Sequence, residues 1–192
     1  MITELKRGLL FTLVMMALVG GVYHGLLWGV GRLAFPAQAE GSLIRRADGT
    51  IVGSRLIAQR FVRDEYFWPR PSAVDYNAAS TGGSNYGPSS SDHLKEVGER
   101  LAHVMTREGA RADQVPSEMV TTSGAGLDPH IPPAAAELQA PRVARARGIE
   151  VARVQALIRA HIETPTWGFL GRARVNVLEL NLSLDDAFGV RK

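Results

Sequence analysis

The chain has 192 residues, of which 45% are hydrophobic and 21% charged, a composition typical of a chain that folds around a core. Its 22 basic residues nearly balance 19 acidic ones, so the net charge of +3 argues against nucleic-acid binding. The sequence contains no cysteine, which excludes disulfide frameworks, thiolate zinc sites and cysteine nucleophiles. One ordinary domain with an appended segment accounts for this length.

The appended segment is an apolar run near the N-terminus. From Gly8 to Gly31 the sequence contains no Asp, Glu, Lys or Arg, and about 20 such residues span a bilayer as a helix. We therefore predict a cytoplasmic N-terminus over residues 1–8, a transmembrane helix over residues 9–31 and a connector over residues 32–41.

A cleaved signal peptide is the alternative interpretation of this run. Lys6 and Arg7 supply a basic start, and residues 37–39 (Ala-Gln-Ala) resemble a small-residue cleavage site. The apolar region of a signal peptide usually has about 7 to 15 residues, and this run is longer. We therefore expect a retained anchor.

The charges that flank the run predict its orientation. Lys6 and Arg7 precede it and only Arg32 follows it closely, so the positive-inside rule places the N-terminus in the cytoplasm. Arg45 and Arg46 lie farther along on the same side as Arg32, so they reduce the difference in positive charge between the two sides of the run. The prediction is a single-pass protein of the bacterial inner membrane with an extracytoplasmic domain.

Small residues recur every four positions within the run, at Gly21, Gly25 and Gly29, after Ala17. This spacing lines one face of a helix with small side chains, and such a face lets another helix approach closely. Glycine is also common in membrane helices without any partner. We predict that Gly21, Gly25 and Gly29 form a helix-packing face.

Residues 42–192 are predicted to form a single mixed α+β domain. Asp48-Gly49 lies between two short apolar segments and predicts a β-hairpin. Residues 61–76 contain Tyr66, Phe67, Trp68 and Tyr76 together with Pro69 and Pro71. The prolines forbid a regular helix, so we expect an irregular segment whose rings pack in the core. Three-four spacing predicts a helix from Ser91 to Gly109.

Two more helices and a strand complete the predicted domain. A helix should begin near Pro132-Pro133, and we expect Pro141 to kink or end it. Another should run from about Ile149 to His161. Leucine at every second position from Leu178 to Leu184 predicts a half-buried strand. The intervening arginines are expected on a solvated face; they are Arg142, Arg145 and Arg147.

Two polar loops are the candidates for chemistry. Residues 80–88 are glycine-rich but lack the lysine of a phosphate-binding loop, so a structural loop is favoured. Residues 121–133 contain Ser123, Asp128 and His130, but no G-x-S-x-G motif surrounds the serine, so we do not expect a hydrolase. The five histidines are scattered without metal-ligand spacing, and no metal site is predicted.

Taken in order, these segments resemble the C chain of the Kdp potassium-transporting P-type ATPase. The resemblance covers essentially the whole chain. The segments that carry it, besides the N-terminal span, are Tyr66-Phe-Trp-Pro-Arg-Pro-Ser-Ala73, Tyr76-Asn-Ala78, Gly82-Gly-Ser-Asn85, Gly87-Pro88, Val120, Ser123-Gly-Ala-Gly-Leu-Asp-Pro-His130, Pro133-Ala-Ala-Ala136, Gln139, Arg142-Val-Ala144 and Arg174-Val-Asn-Val-Leu-Glu-Leu-Asn181.

The resemblance implies an accessory subunit that is not itself an enzyme and binds no cofactor of its own. Its partners in the family are a potassium-binding subunit, a P-type subunit that hydrolyses ATP and a small hydrophobic peptide. An anchored extracytoplasmic binding or chaperone module that acts alone is the alternative from a different class, and co-purification separates the two.

The family is also proposed to act as a catalytic chaperone that raises the ATP affinity of the ATPase subunit. On this sequence the nucleotide contacts correspond to Ser123, Gly124, Gly126 and Gln139. An extracytoplasmic domain does not meet cytosolic ATP, so we expect these residues, with Asp128 and His130, to contact the outer face of the potassium-binding subunit instead.

Overall fold

The computed structural model describes residues 1–46 and 48–189. The chain divides into two compact units, with the boundary between Leu43 and Ile44. An apolar N-terminal helix is followed by a domain of helices and small sheets, which confirms the predicted α+β class.

The N-terminal unit is one long helix followed by a short one. It comprises α1 (Ile2–Met15), a π-helical stretch (Met16–Tyr23), α2 (His24–Ala34) and, after Phe35, α3 (Pro36–Ala39). The helix stops where a proline follows, because the residue before proline is disfavoured in the α conformation. Residues 2–34 are long and apolar enough to cross a membrane, and none of them is buried.

In its described residues the C-terminal unit contains a hairpin, a three-stranded sheet, four α-helices and two short 3₁₀ helices, Ala112–Gln114 and Ser117–Met119. The elements in chain order are β1 (Leu43–Arg45), β2 (Ile51–Ser54), α4 (Ser91–Glu108), β3 (His130–Ile131), α5 (Pro133–Arg147), α6 (Val151–Ala160), β4 (Ile162–Glu163), β5 (Arg174–Asn176) and α7 (Val177–Phe188). β1 and β2 pair with each other on either side of the predicted Asp48-Gly49 turn. Ala47 lies outside the described residues. β5 lies between β3 and β4 and is antiparallel to both.

Two helices agree with the prediction from spacing and capping residues. The Ser90 side chain caps α4 by accepting a hydrogen bond from the His93 N–H, and Gly109 ends the helix with φ of 67°. α6 occupies most of the segment predicted from Ile149 to His161, with Val154 and Ile158 buried. Local signals were sufficient for both helices.

We expected Pro141 to kink or end α5; the helix runs through Pro141 to Arg147, so an end at the proline is wrong, and a kink stays a prediction. Pro141 lies on the exposed face, where water can satisfy the carbonyl group left without an N–H partner. The opposite face carries small apolar residues that are fully buried, among them Ala136, Ala140 and Val143. Burial of that face outweighs the local cost of the proline.

The predicted strand from Leu178 to Leu184 is also wrong, because this segment lies in α7. The Asn176 side chain accepts a hydrogen bond from the Glu179 N–H, a helix N-cap. A helix also buries Leu180 and Leu184 on one face together with Asn181, which a strand would have turned to the other side. The alternating leucines were therefore misleading.

The core of the domain lies between α5, α6, α7 and the three-stranded sheet. Of the aromatic residues predicted to be buried, Phe67 is fully buried, whereas Tyr66, Trp68 and Tyr76 are half-buried. The other large members of the core are Ile131, Val143, Val154, Ile158, Val175, Val177, Leu180 and Leu184.

Candidate functional site

Residues 121–131, which we call the loop, end in the short strand β3 and are held by four segments of the domain. The Ser123 N–H donates to the Pro71 carbonyl at 3.2 Å, and the Gly82 N–H donates to the Ala125 carbonyl at 3.1 Å. Further along the loop, the carbonyl groups of Leu127 and Pro129 accept from the N–H groups of Ala58 and Val177. These backbone bonds fix the loop over most of its length.

The loop packs closely against the glycine-rich residues 80–88. Gly126 has φ of 71°, and a Cβ at this position would lie 2.5 Å from Val74 Cγ2 and 3.0 Å from the Gly82 carbonyl oxygen. A Cβ at Gly83 would lie 2.9 Å from the Gly124 carbonyl oxygen. The two loops thus meet backbone to backbone, and glycine permits the approach.

Gly124 differs from its neighbours in the same loop. It is exposed, its φ is not in the left-handed region, and nothing lies within 4 Å of the Cβ that a substitution would add. Ala125 is exposed as well. The crest of the loop, which we define as Gly124 and Ala125, is therefore open surface.

Ser123 lies beneath this crest and is only 3% exposed. Its hydroxyl oxygen is 3.5 Å from the Asp128 N–H nitrogen, and its carbonyl accepts from the Gly126 N–H at 3.2 Å. Among the described residues no hydrogen bond joins the Ser123 hydroxyl to His130. The serine supports the shape of the loop from within.

Asp128 and His130 of the loop form a polar cluster with Arg70. Asp128 accepts from an Arg70 Nη group at 3.3 Å and from the His130 N–H at 3.0 Å, and its carboxylate is 3.6 Å from His130 Nδ1. Burial alone raises the pKa of Asp128, but hydrogen bonds from His130 and the charge of Arg70 outweigh it, so the pKa lies below its ordinary value. Asp128 is ionised at neutral pH.

Arg70 is itself fixed by its surroundings. The Tyr76 hydroxyl donates to its carbonyl oxygen at 2.8 Å, and burial raises the pKa of Tyr76 to about 12, so the phenol remains a donor. An Arg70 Nη group also donates to the Thr122 carbonyl at 3.3 Å. Arg70 Nε is buried and has no hydrogen-bond partner among the described residues. Arg70 therefore links the aromatic segment to the loop.

Gln139 lies on α5 and is 1% exposed. Its Oε1 accepts from the Trp68 N–H at 2.8 Å and from Arg142 at 2.8 Å, while its Nε2 donates to the Trp68 carbonyl at 3.1 Å. These three hydrogen bonds use most of the donors and acceptors of the Gln139 side-chain amide. The structure thus places Gln139 in the interior and brings Ser123, Gly124, Gly126, Asp128 and His130 together in the loop.

Asn181 repeats this arrangement from α7. Its side chain accepts from the Phe67 N–H at 2.8 Å and donates to the Phe67 carbonyl at 2.9 Å. Two buried amides therefore clamp two consecutive residues of the irregular segment, as a neighbouring strand would do. Asn181 was missed because the leucine pattern around it predicted a strand; its spacing of three residues from Leu184, which fits one face of a helix, is the signal that identifies it.

Two of the three arginines expected on a solvated face are buried, which corrects that expectation. Arg142 and Arg147 are each 5% exposed, whereas Arg145 is exposed. Arg142 pairs with Glu108 at 2.9 Å and donates to the Tyr66 carbonyl at 3.0 Å. Arg147 pairs with Asp185 at 2.8 Å and donates to the Glu65 carbonyl at 2.8 Å.

The comparison with known families covers both units of the chain. The profile described as "KdpC: K+-transporting ATPase, c chain" matches residues 5–186. Relatives named "Potassium-transporting ATPase KdpC subunit" include one from Geobacter sulfurreducens, 48% identical over 95% of this chain and 97% of its own. Another, from Cereibacter sphaeroides strain KD131, is 49% identical over 97% and 99%. The chain belongs to the KdpC family.

The membrane anchor of this KdpC chain has its small-residue face open. Nothing lies within 4 Å of a Cβ added at Gly21, Gly25 or Gly29. Gly25 and Gly29 are in regular α-helix and share a face, whereas Gly21 lies in the π-helical stretch, whose turns are wider. The role of these glycines in helix packing remains a prediction.

Proposed function

We propose that the chain is a non-catalytic accessory subunit of a bacterial potassium-transporting P-type ATPase. The observation that carries this proposal is the family match over residues 5–186, which includes both the apolar helix and the folded domain. Relatives of nearly equal length bear the name of a potassium-transporting ATPase subunit. The proposed role therefore involves both the apolar helix and the folded domain.

The geometry of the loop supports a role in assembly rather than in chemistry. Ser123 is only 3% exposed, and its hydroxyl oxygen lies 3.5 Å from the backbone nitrogen of Asp128. The His130 ring lies beside the carboxylates of Asp128 and Glu163, so it is not placed to activate the serine. ATP is then hydrolysed by a partner subunit and not by this chain.

The proposed partners are a potassium-binding subunit, an ATP-hydrolysing subunit and a small hydrophobic peptide. In the membrane, Gly25 and Gly29 offer a smooth helix face for one of them. In the domain, the crest is exposed, and Asp128 and His130 of the same loop are half-buried. We place the outer face of the potassium-binding subunit against this surface, near the ion entrance.

The proposed topology has the anchor in the inner membrane and the domain outside the cytoplasm, because Lys6 and Arg7 precede the helix. In that topology the domain does not meet cytosolic ATP. The alternative is that the domain is cytosolic and acts as a chaperone for nucleotide binding through Ser123, Gly124, Gly126 and Gln139. Topology therefore distinguishes the two versions of the accessory role.

A single thiol reports the topology, because the chain has no cysteine of its own. Ser91 is exposed at the first turn of α4, and the neighbouring Ser90 supplies the cap, so Ser91→Cys preserves the helix start. We expect a membrane-impermeant maleimide to label this variant in intact spheroplasts. Labelling only after lysis would place the domain in the cytosol and restore the nucleotide role.

Assembly is tested at the crest of the loop. Gly124→Trp adds a large side chain to open surface and leaves the fold intact, so we expect loss of the other ATPase subunits on co-purification from detergent. Gly98→Trp, on the exposed side of α4, also has nothing within 4 Å and is the matched control. If Gly124→Trp retains the whole complex and its potassium-stimulated ATPase activity, the crest is not the docking surface.

The same variant separates docking from nucleotide affinity. Complex that is recovered in full but shows a raised KM for ATP, with kcat unchanged, would favour the chaperone role over docking. Loss of the other subunits on co-purification favours docking.

A further inference from the structure

Three large apolar side chains stand together on the surface of the domain, in the loop between β4 and β5. Trp167 is 81% exposed, Phe169 is 72% exposed and Leu170 is 47% exposed. The rings of Trp167 and Phe169 lie 6.5 Å apart between centroids. We call residues 164–173 the tip. Scattered exposed apolar residues need no explanation, but an adjacent group of this kind marks an interaction site.

The tip is a built structure, not a loose loop. The N–H and carbonyl groups of Thr166 and Leu170 bond to each other at 3.0 and 2.9 Å, and the Gly168 N–H donates to the Pro165 carbonyl at 2.9 Å. Trp167 has φ of 54°, a left-handed conformation that a bulky residue rarely adopts. The backbone thus holds the aromatic rings outward, and strained non-glycine residues of this kind are often found at functional positions.

The charge of the tip is of one sign. Residues 164–173 contain one arginine, Arg172, and no acidic residue, and Arg174 follows at the start of β5. Arg172 is exposed and makes no ion pair with any described residue, whereas Arg174 pairs with Glu163 at 2.9 Å. Aromatic and aliphatic side chains beside an unpaired arginine match the boundary of an anionic bilayer, where rings enter the headgroup layer and the cation meets lipid phosphate.

The connectivity places the base of the tip near the point where the anchor joins the domain. β1 and β2 are joined by residues 46–50 and so run antiparallel, which brings Ser54 to the end of the hairpin where the chain enters at Ile44. Arg55 follows directly, and its guanidinium is 3.6 Å from the Glu163 carboxylate at the base of the tip. The Arg55 carbonyl also accepts a hydrogen bond from the side chain of Asn176 at 2.8 Å. Asn176 is the last residue of β5, the strand that follows the tip.

The tether between anchor and domain is short. Residues 35–43 separate the end of α2 from Ile44, and at about 3.3–3.6 Å per residue they span at most roughly 30 Å; the helical turn of α3 shortens them further. A surface of the domain that lies near Ile44, where the tether ends, therefore has a high effective concentration at the bilayer.

From these observations we infer that the tip is a second membrane contact, in which Trp167, Phe169 and Leu170 insert into the headgroup region of anionic lipid and Arg172 binds lipid phosphate. The inference rests on one part of the proposed function, the membrane anchor, and does not depend on the other subunits of the ATPase.

A depth-sensitive probe tests this inference in the full chain. Phe169→Cys carries the only thiol of the chain, to which an environment-sensitive fluorophore is attached, and the labelled chain is reconstituted in nanodiscs of phosphatidylcholine with phosphatidylglycerol. We expect a blue shift relative to detergent and quenching by lipids with a nitroxide at the headgroup. Leu94→Cys, labelled likewise, is the control, because Leu94 is 61% exposed and lies on α4 between Asp92 and Glu96.

Two further variants separate the contributions of rings and charge. Trp167→Asn removes the ring but keeps a residue that tolerates the left-handed conformation, so we expect the probe at residue 169 to lose its quenching while the fold persists. Arg172→Gln should remove the difference in quenching between nanodiscs with and without phosphatidylglycerol.

Other outcomes contradict the inference. Equal quenching at residues 169 and 94 would show unspecific adsorption of the domain. No quenching at residue 169 in a chain that remains in the nanodisc would overturn the lipid contact and leave the anchor intact. A blue shift that appears only when the other ATPase subunits are present would assign the tip to a protein partner instead.

Discussion

The two glycine-rich regions of this chain look alike in the sequence and differ in the structure. In the domain, glycines of the two polar loops are packed against backbone and side chains, as at Gly83 and Gly126. In the anchor, Gly21, Gly25 and Gly29 face open space. Glycine in the first region allows close approach within the chain. In the second it leaves a smooth surface whose use depends on a partner.

The largest expected effect is on the packed glycines. Gly126→Ala places a methyl group in contact with Val74 at a left-handed backbone position, so we expect a loss of about 2–4 kcal/mol in the free energy of unfolding. Gly124→Ala, in the same loop, should change it by less than about 0.5 kcal/mol. Urea unfolding of the full chain in detergent measures both, and equal effects would mean that the glycines of this loop do not differ in packing.

The second prediction concerns Gln139, which clamps the irregular segment beneath the loop. Gln139→Leu leaves the Trp68 N–H and carbonyl groups without their partner, so we expect a loss of about 1–3 kcal/mol in the free energy of unfolding. Gln155→Leu, which removes a hydrogen bond to Glu137 on another side of α5, is the control. A Gln139→Leu chain of normal stability that lowers the ATP affinity of the complex would contradict the structural role and support a nucleotide contact.

The third prediction addresses the open glycines. Gly25→Leu should reduce co-purification of the other ATPase subunits because its bulk separates two helix backbones, and it should leave the stability of the domain within about 0.5 kcal/mol of the parent. Gly31→Leu is the control, since it lies in the same helix on a different face. If both variants keep the complex, or both lose it, the four-residue spacing does not define the interface.

The smallest expected effect is the pH dependence that Asp128 contributes. Its pKa is lower in the folded chain than its ordinary value of about 3.9, so its contribution to stability is fully present above that value and is lost as the pH falls through the folded pKa. Asp128→Asn should remove this part of the decline below about pH 4. Urea unfolding between pH 3 and 6 tests it; parallel curves for parent and variant would show that the link to Arg70 and His130 adds no stability.

The sequence by itself determined the features that depend on local patterns. An uninterrupted apolar run is enough to define a membrane-length helix, because the bilayer sets its length. Three-four spacing that begins at Ser91 and stops at Gly109 defines α4, and the whole-length resemblance indicated the family. The Asp48-Gly49 turn likewise needs only its own residues.

Only the tertiary structure decided where helix and strand compete, and which charges are buried. The leucines of residues 178–184 fit both the two-residue period of a strand and the 3.6-residue period of a helix. Burial of Leu180, Asn181 and Leu184 on one side selected the helix. Pro141 is tolerated within α5 because the buried alanine face outweighs it. Arg147 is buried because its partners include the Glu65 carbonyl, 82 residues away, and Asp185, 38 residues away. A buried charge requires partners, and the fold supplies partners whose position no local pattern contains.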